Sequence, residues 1–138
     1  DYRILVESQD NVGLGVIGQL AEPMSVQAFM AHVAKVFGIE GAGLRYVEGK
    51  RDMVQKIAIC GGAGADLVNE AIAQGADVYV SADFKYHEMQ AAAGQIAVVD
   101  MDHWVSEHFT REIFEQLLSP YIHTHVAKTD KSPVQYWK

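Results

Sequence analysis

The apolar positions in residues 25–38 recur at helical spacing. Ser25 precedes them and is a good N-cap, because its hydroxyl can accept a backbone N–H from the first turn. Gly38 follows them, and glycine readily adopts the left-handed conformation that ends a helix. The apolar residues in between fall on one helical face: Val26, Phe29, Met30, Val33, Val36 and Phe37. The pattern therefore predicts an amphipathic helix between Ser25 and Gly38.

The rest of the chain alternates short apolar runs with amphipathic segments. The apolar runs predict strands at residues 3–7, 43–48, 54–60, 77–83, 95–100 and 121–128. The amphipathic segments predict helices at residues 66–75, 84–94 and 103–119. Strand–helix–strand repetition with short links predicts an α/β fold, with a layered, largely parallel sheet and flanking helices.

Length and charge exclude several classes of protein. The 138 residues predict a single domain over residues 1–138, large enough to bury a core. The net charge of −7 argues against a nucleic-acid binder, which would need a basic face for phosphate contacts. No apolar run reaches the ~20 residues of a membrane span. With Cys60 as its single cysteine the chain cannot form an internal disulfide, which favours a reducing, cytoplasmic location.

Three predicted strands end in polar or glycine-rich segments: CGGAGAD, SADFKYHE and VDMDHWVSE. Ligands of α/β sheets bind beyond the carboxyl ends of the strands, so neighbouring strands would bring these segments to one edge. The glycines of CGGAGAD allow two interpretations. Their backbone N–H groups approach an anion, or they form a tight turn that packs a helix closely on the sheet. The P-loop and GxGxxG patterns are both absent.

His103 and Glu107 are four residues apart in a predicted helix for which Asp102 is the N-cap, so they share one helical face. An imidazole nitrogen and a carboxylate oxygen at this spacing can bind one divalent cation. The alternative is a structural pair in the first helical turn, with Glu107 bonding the helix end and His103 exposed. Two ligands are fewer than a metal site usually has.

The segment SADFKYHE offers further ionisable groups. Asp83 at the strand end is either a helix N-cap or part of the same site. Lys85 either pairs with an acidic neighbour or meets a substrate anion. His87 is a hydrogen-bond donor behind the ligands, a proton shuttle near neutral pH, or a surface residue.

Three longer stretches resemble the C-terminal half of the Ngg1-interacting-factor-three-like proteins, the GTP cyclohydrolase 1 type 2 homologue family. They are GLGVIGQLAEPMSVQAF, KIAICGGAGADLVNEAIAQGADVYVSADFKYHEMQAA and IAVVDMDHWVSEHF. The resemblance runs from about Gly13 to the end, where HVAKTDKSPVQYW is similar to the family's closing segment. Its specificity lies in the order and spacing of CGGAG, then DFKYH, then the HxxxE motif.

The resemblance implies one lobe of a two-lobed α/β protein that assembles as a hexameric ring and holds two divalent metal ions between its lobes. It implies that His103 and Glu107 are metal ligands. Four further residues are expected to lie behind the ligands or to face the substrate: Asp83, Lys85, Tyr86 and His87. One His and one carboxylate suit Zn, Fe, Mn or Mg equally.

The family's remaining ligands, a His-His pair and an Asp of the N-terminal half, have no counterpart in this sequence. The chain is therefore expected to be a C-terminal fragment, in which residues 1–12 end an inserted or linker segment.

Two functions follow from the resemblance. The first is a metal-dependent hydrolase of the GTP cyclohydrolase type, in which two ions activate water. The second is a non-catalytic metal-binding scaffold or regulatory protein that acts through protein partners. In either case we expect self-association of the full-length protein, no nucleic-acid or membrane partner, and no activity in the isolated fragment.

Overall fold

The protein has a mixed α/β architecture, seen in a computed structural model that describes residues 1–39, 44–129 and 131–134. The strands are β1 (Tyr2–Gln9), β2 (Val12–Ser25), β3 (Arg45–Val47), β4 (Met53–Ala63), β5 (Val78–Ala82) and β6 (Ala97–Asp100). The helices are α1 (Val26–Val36), α2 (Val68–Ala73), α3 (Tyr86–Ala92), α4 (His103–Glu107) and α5 (Thr110–Leu118), with a 3₁₀ turn at Ala65–Leu67. The predicted α/β fold with flanking helices is confirmed. Of these helices, none has both the length and the apolar character needed to cross a membrane.

The six strands form one sheet in the order β1-β2-β4-β5-β6-β3. Of the pairs between described strands, β4–β5 and β5–β6 are parallel, whereas the other three are antiparallel. The prediction of a largely parallel sheet is therefore wrong. Only Asp10 and Asn11 separate β1 from β2, and so short a link allows only an antiparallel hairpin. The parallel strands β4, β5 and β6 are adjacent in the sheet, and they carry the polar ends noted in the sequence.

Helices cover both faces of the sheet. On one face α1 and α4 pack through Phe29, Val33 and Val105 against strand residues such as Val80. On the other face α2 and α3 pack against the alternate strand positions, among them Tyr79. Because both faces are covered, β5 and β6 are nearly continuous apolar runs, which is why the sequence revealed them readily.

The first helix agrees closely with its prediction. Ser25 is its N-cap, and the hydroxyl accepts a hydrogen bond from Ala28 N at 3.1 Å. The helix ends at Val36, and Gly38 adopts the left-handed conformation with φ of 68°. Local capping signals were therefore sufficient for this element.

Two predicted elements at the C-terminal end are wrong. The helix expected over 103–119 is divided into α4 and α5 at His108 and Phe109. Aromatic side chains pack at this break. The rings of His108 and Trp104 are stacked with centroids 4.5 Å apart, and Phe109 packs edge-on against Phe37 with centroids 5.6 Å apart. The strand expected over 121–128 is also wrong: these residues are described, and they form no strand, although their side chains alternate in character.

Three predicted segments lie near the chain ends or beside residues outside the described ranges. The strand predicted over 43–48 corresponds to β3, and residue 43 lies outside the described residues. The closing segment HVAKTDKSPVQYW lies partly outside them, at residues 130 and 135–137. β1 pairs with β2 within the main sheet. The assignment of residues 1–12 to an inserted or linker segment stays a prediction.

Candidate metal centre

The carboxyl ends of β4, β5 and β6 converge on one edge of the sheet. These strands are parallel neighbours, so their polar ends lie at the same edge of the sheet. Gly62 lies near the end of β4, Asp83 directly follows β5, and His103 begins the helix after β6. The predicted convergence of the three segments is therefore confirmed, at the position where α/β sheets bind ligands.

The imidazole of His103 lies between two carboxylates. Its Nδ1 is 2.6 Å from Asp83 Oδ2, and its Nε2 is 3.0 Å from Glu107 Oε2. All three side chains are about half exposed. The carboxylate of Asp83 thus contacts one ring nitrogen of His103, and the carboxylate of Glu107 contacts the other.

Charge at this site favours the imidazolium form. The hydrogen bond with Asp83 raises the pKa of His103 above its usual value; burial opposes this effect, and the charge of Glu107 adds to it. A proton therefore occupies Nε2 over a wider pH range than in a free histidine. Any cation bound at Nε2 must displace that proton.

The backbone at the two acidic strand ends is unusual. Asp83 has φ of 60° and Asp102 has φ of 73°, both in a region that L-residues rarely adopt. Asp102 is the N-cap of α4, as predicted, since its Oδ1 accepts a hydrogen bond from Trp104 N at 3.1 Å. Asp83 does not cap a helix. Its carboxylate instead contacts His103, so the N-cap interpretation of Asp83 is wrong, and its role behind a metal ligand stays a prediction.

Asp100, the last residue of β6, was not singled out from the sequence. It is buried, and its carboxylate accepts hydrogen bonds from Phe84 N and Asp102 N, both at 3.3 Å. Arg45 donates to the same carboxylate and to Phe84 O. One buried acid therefore joins the turn after β5, which carries Asp83, to the turn after β6. The sequence signal that could have identified Asp100 is its position, as an aspartate at the end of an apolar strand.

The glycine-rich end of β4 is extended rather than a tight turn, because the strand continues to Ala63. Gly62 has φ of 66°, and its N–H donates to Ser106 Oγ at 2.8 Å. That N–H is therefore already used within the protein. A Cβ at position 62 would overlap the carboxylate of Glu107, which explains why glycine suits this site.

The remaining predicted site residues lie on the surface of the turn into α3. Lys85, Tyr86 and His87 are all exposed. Tyr86 packs edge-on against His87 with ring centroids 5.3 Å apart, and His87 Nδ1 is 3.4 Å from Gln90 Oε1. These contacts lie within α3 itself. The structure thus brings together Asp83, His103 and Glu107, whereas within the described part of the chain no hydrogen bond, ion pair or ring contact joins the other three to that group.

A cleft of ≈ 430 Å³ opens beside the three side chains. Trp104 and Pro133 contribute apolar walls to it. Among the described residues, no cluster of three or more His, Cys, Asp or Glu side chains is arranged to hold a metal ion. His103 Nε2 and Glu107 Oε2 fit two positions of a divalent ion's coordination sphere, and further ligands would be needed to complete it.

Comparison with known proteins agrees with the fold and with the family resemblance of the sequence. The family model Duf34/NIF3 (NGG1p interacting factor 3) matches residues 3–133. A Mycobacterium leprae protein named GTP cyclohydrolase 1 type 2 homolog is 36% identical over 109 residues, which is 78% of this chain and 28% of that protein. A Staphylococcus epidermidis protein of the same name is 31% identical over 86% of this chain and 32% of its own length. The chain thus spans about a third or less of these curated relatives.

Solved structures give the same result. The crystal structure of Staphylococcus aureus protein SA1388 superimposes with a TM-score of 0.81 at 28% identity, covering 91% of this chain and 42% of that one. A Bacillus cereus protein related to NIF3 superimposes with a TM-score of 0.74 at 30% identity, covering 91% and 36%. With a family model that matches nearly the whole chain, this protein belongs to the Duf34/NIF3 (NGG1p interacting factor 3) family.

Proposed function

We propose that this chain supplies His103 and Glu107 as ligands to a divalent metal site in a metal-dependent hydrolase. The observation that carries the proposal is the position of the His103 ring, with Asp83 at Nδ1 and Glu107 beside Nε2. A carboxylate at the far nitrogen is the usual support of a metal-binding histidine, because it fixes the tautomer and raises the basicity of the ligating nitrogen. The name of the curated relatives, GTP cyclohydrolase 1 type 2 homolog, is consistent with hydrolysis.

Each side chain has a distinct role in this proposal. Asp83 accepts the Nδ1–H of His103 and so keeps the ring facing Glu107. Nε2 of His103 and the carboxylate of Glu107 would hold the ion. When bound, a divalent ion supplies Lewis-acid chemistry, which polarises a carbonyl or phosphoryl oxygen and activates water. The walls formed by Trp104 and Pro133 would limit the access of bulk water to the cleft.

We extend the proposal to a longer protein, similar in length to the curated relatives of this family. Because the chain spans about a third or less of its curated relatives, the remaining ligands are expected from outside residues 1–138. A second ion and a ring-like assembly follow from the family resemblance and are part of the proposal. One imidazole and one carboxylate admit Zn, Fe, Mn or Mg.

Metal binding is testable by isothermal titration of the full-length protein, which would supply the remaining ligands, with Zn²⁺ and Mn²⁺. We expect His103→Ala and Glu107→Gln each to abolish the measurable binding of the wild-type protein. His32→Ala is the matched control, because His32 is exposed on α1 and lines a different groove. Equal heats for the wild type and His103→Ala would contradict the metal proposal.

Hydrolysis is tested on the full-length protein, loaded with metal and offered a panel of nucleoside triphosphates, phosphate esters and amides. Turnover that disappears in the Glu107→Gln variant supports the hydrolase. A metal-loaded protein that turns over none of these substrates would favour the second candidate.

The second candidate is a metal-binding scaffold that acts through protein contacts. The helix α5 favours it, because none of its residues is buried and it exposes large apolar side chains. They are Ile113, Phe114, Leu117 and Leu118. Such a face is characteristic of a surface that meets another protein or another lobe. Sedimentation of the full-length protein, with and without Leu117→Glu, tests whether this face supports assembly.

A further inference from the structure

The helix α4 carries both proposed ligands but has only five residues. A helix this short has few internal hydrogen bonds and depends on outside contacts for its position. Asp102 caps its start at Trp104 N, and Val105 buries its inner face in the core. Those contacts hold the beginning and the underside of α4. The end that carries Glu107 is also bonded to β4.

Ser106 provides that contact through a single hydroxyl. Its Oγ accepts the N–H of Gly62 at 2.8 Å and donates to the carbonyl of His103, also at 2.8 Å. The first bond joins α4 to the end of β4. The second closes the helical turn between His103 and Ser106, directly before Glu107. The hydroxyl therefore connects the glycine-rich strand end to the residue that carries the imidazole.

Gly62 is a firm support for this connection. Its carbonyl accepts a hydrogen bond from Ser81 Oγ at 3.1 Å, and Ser81 is fully buried in β5. The absence of a side chain at Gly62 leaves room for the carboxylate of Glu107. A shift of α4 against Gly62 would change the distance from His103 to Asp83. A loosened turn would change the distance from Glu107 to His103.

We propose that Ser106 is a positioning residue of the metal site, whose hydroxyl fixes α4 so that His103 meets Asp83 and Glu107 together. This inference rests on the proposed metal-binding function. Ser106 touches neither the ion nor the substrate in this proposal, and it acts through the two ligands. Residues that support metal ligands in this way typically contribute 10–100-fold to metal affinity.

The test compares Ser106→Ala, which removes both hydrogen bonds, with Ser106→Thr, which keeps the hydroxyl. A threonine hydroxyl can bond a carbonyl one turn earlier in a helix, so the Thr variant should retain the connection. Ser119→Ala is the matched control, since Ser119 is exposed beyond α5. Zn²⁺ affinity is measured for the full-length form of all four proteins, at a temperature where circular dichroism shows each to be folded.

We expect Ser106→Ala to weaken Zn²⁺ binding about tenfold. Ser106→Thr should remain within about threefold of the wild type, and Ser119→Ala should be unchanged. A purely structural serine would lower the unfolding temperature and leave the affinity of the folded protein as it was. Equal affinities for Ser106→Ala and the wild type would overturn the proposal, as would a Thr variant as weak as the Ala variant.

Crystal structures of the metal-free wild type and Ser106→Ala provide a readout that does not require metal. We expect at least one of the two His103 contacts, to Asp83 or to Glu107, to lengthen beyond hydrogen-bonding distance in Ser106→Ala. If both contacts keep their wild-type lengths, Ser106 does not position the site. If the wild type binds Zn²⁺ no better than His103→Ala, the metal function fails, and these structures alone decide the role of Ser106.

Discussion

Asp83 and His103 are twenty positions apart in the sequence, yet Asp83 Oδ2 lies 2.6 Å from His103 Nδ1. The contact joins the turn after β5 to the first residue of α4. Because β5 and β6 are parallel neighbours, their carboxyl ends are adjacent, and the two side chains meet above that edge. The sheet topology, rather than any local motif, thus creates the acid–imidazole pair.

Replacing Asp83 with Asn should lower the pKa of His103 towards its ordinary value of about 6.5. Asn tolerates the positive φ of Asp83 and can still accept the Nδ1–H, but it carries no charge to stabilise the imidazolium. A proton NMR titration of the His103 ring measures the change. Asp10→Asn removes the same charge from the distant β1–β2 turn and should leave the His103 pKa nearly unchanged.

The same pair makes stability depend on pH with a definite sign. Since the pKa of His103 is raised in the folded protein, the stabilisation is complete below the unfolded value of about 6.5. It is lost as the pH rises through the folded pKa. The wild type and Asp83→Asn should therefore differ more in urea unfolding at pH 5.5 than at pH 9. An equal difference at both pH values would show that Asp83 does not act through the charge of His103.

Asp100→Asn should destabilise the protein by roughly 2 kcal/mol, because a buried acceptor that serves two N–H groups and Arg45 is replaced by an amide with one acceptor oxygen. The Arg45 side chain is largely exposed, so most of the loss comes from the two turns. Urea unfolding measures the change, with the exposed Asp52→Asn as control. If Asp100→Asn proves as stable as Asp52→Asn, Asp100 does not hold the two turns.

The sequence predicted much of this sheet edge from local signals. The strands β5 and β6 are buried on both faces and so appear as apolar runs, and the capping of α1 by Ser25 was also visible. The shared face of His103 and Glu107 followed from their spacing. Each of these features depends on residues close together in the chain.

The features that were missed depend on distant contacts. Gly62 and Ser106 are 44 positions apart, and neither segment alone indicates that they bond. The period-2 pattern after Tyr121 predicted a strand, but a strand also needs a hydrogen-bonded neighbour; Tyr121 N and Ile122 N instead donate to Leu118 O and extend the end of α5. The strand β2 was not predicted, because its glycines interrupt the pattern of apolar and polar side chains that indicates a strand. The same glycines permit close packing against β1.

Asp77 provides a test of stability away from the site. Burial alone would raise its pKa, but the N–H groups of Lys56 and Gln55, at 2.8 and 3.0 Å, and the charge of Arg51 outweigh burial and lower the pKa. The carboxylate therefore stabilises the fold above its unfolded pKa of about 3.9, and this contribution is lost as the pH falls through the folded value. Asp77→Asn should cost roughly 1–2 kcal/mol at pH 7.

Unfolding at acid pH separates the effect of the Asp77 charge on stability from the effect of its side-chain geometry. Urea unfolding of the wild type and Asp77→Asn between pH 7 and pH 2.5 should show the two stabilities converging below about pH 4. A constant difference across that range would mean that the carboxylate charge contributes nothing and that only the geometry of the side chain matters.

Gly62→Ala should damage the metal site more than the fold. Its φ of 66° makes alanine strained by roughly 1 kcal/mol, and the new Cβ would also overlap the carboxylate of Glu107 while lying 3.5 Å from His103 Cε1. Gly94→Ala is a closely matched control. Gly94 has φ of 74°, but a Cβ there meets no atom within 4 Å of the described structure. Both variants should lose similar stability in urea unfolding, whereas only Gly62→Ala should weaken Zn²⁺ binding, about tenfold or more. If the two variants bind Zn²⁺ equally well, the carboxylate of Glu107 can bind the ion from another position. The close approach of Glu107 to Gly62 is then not required for metal binding.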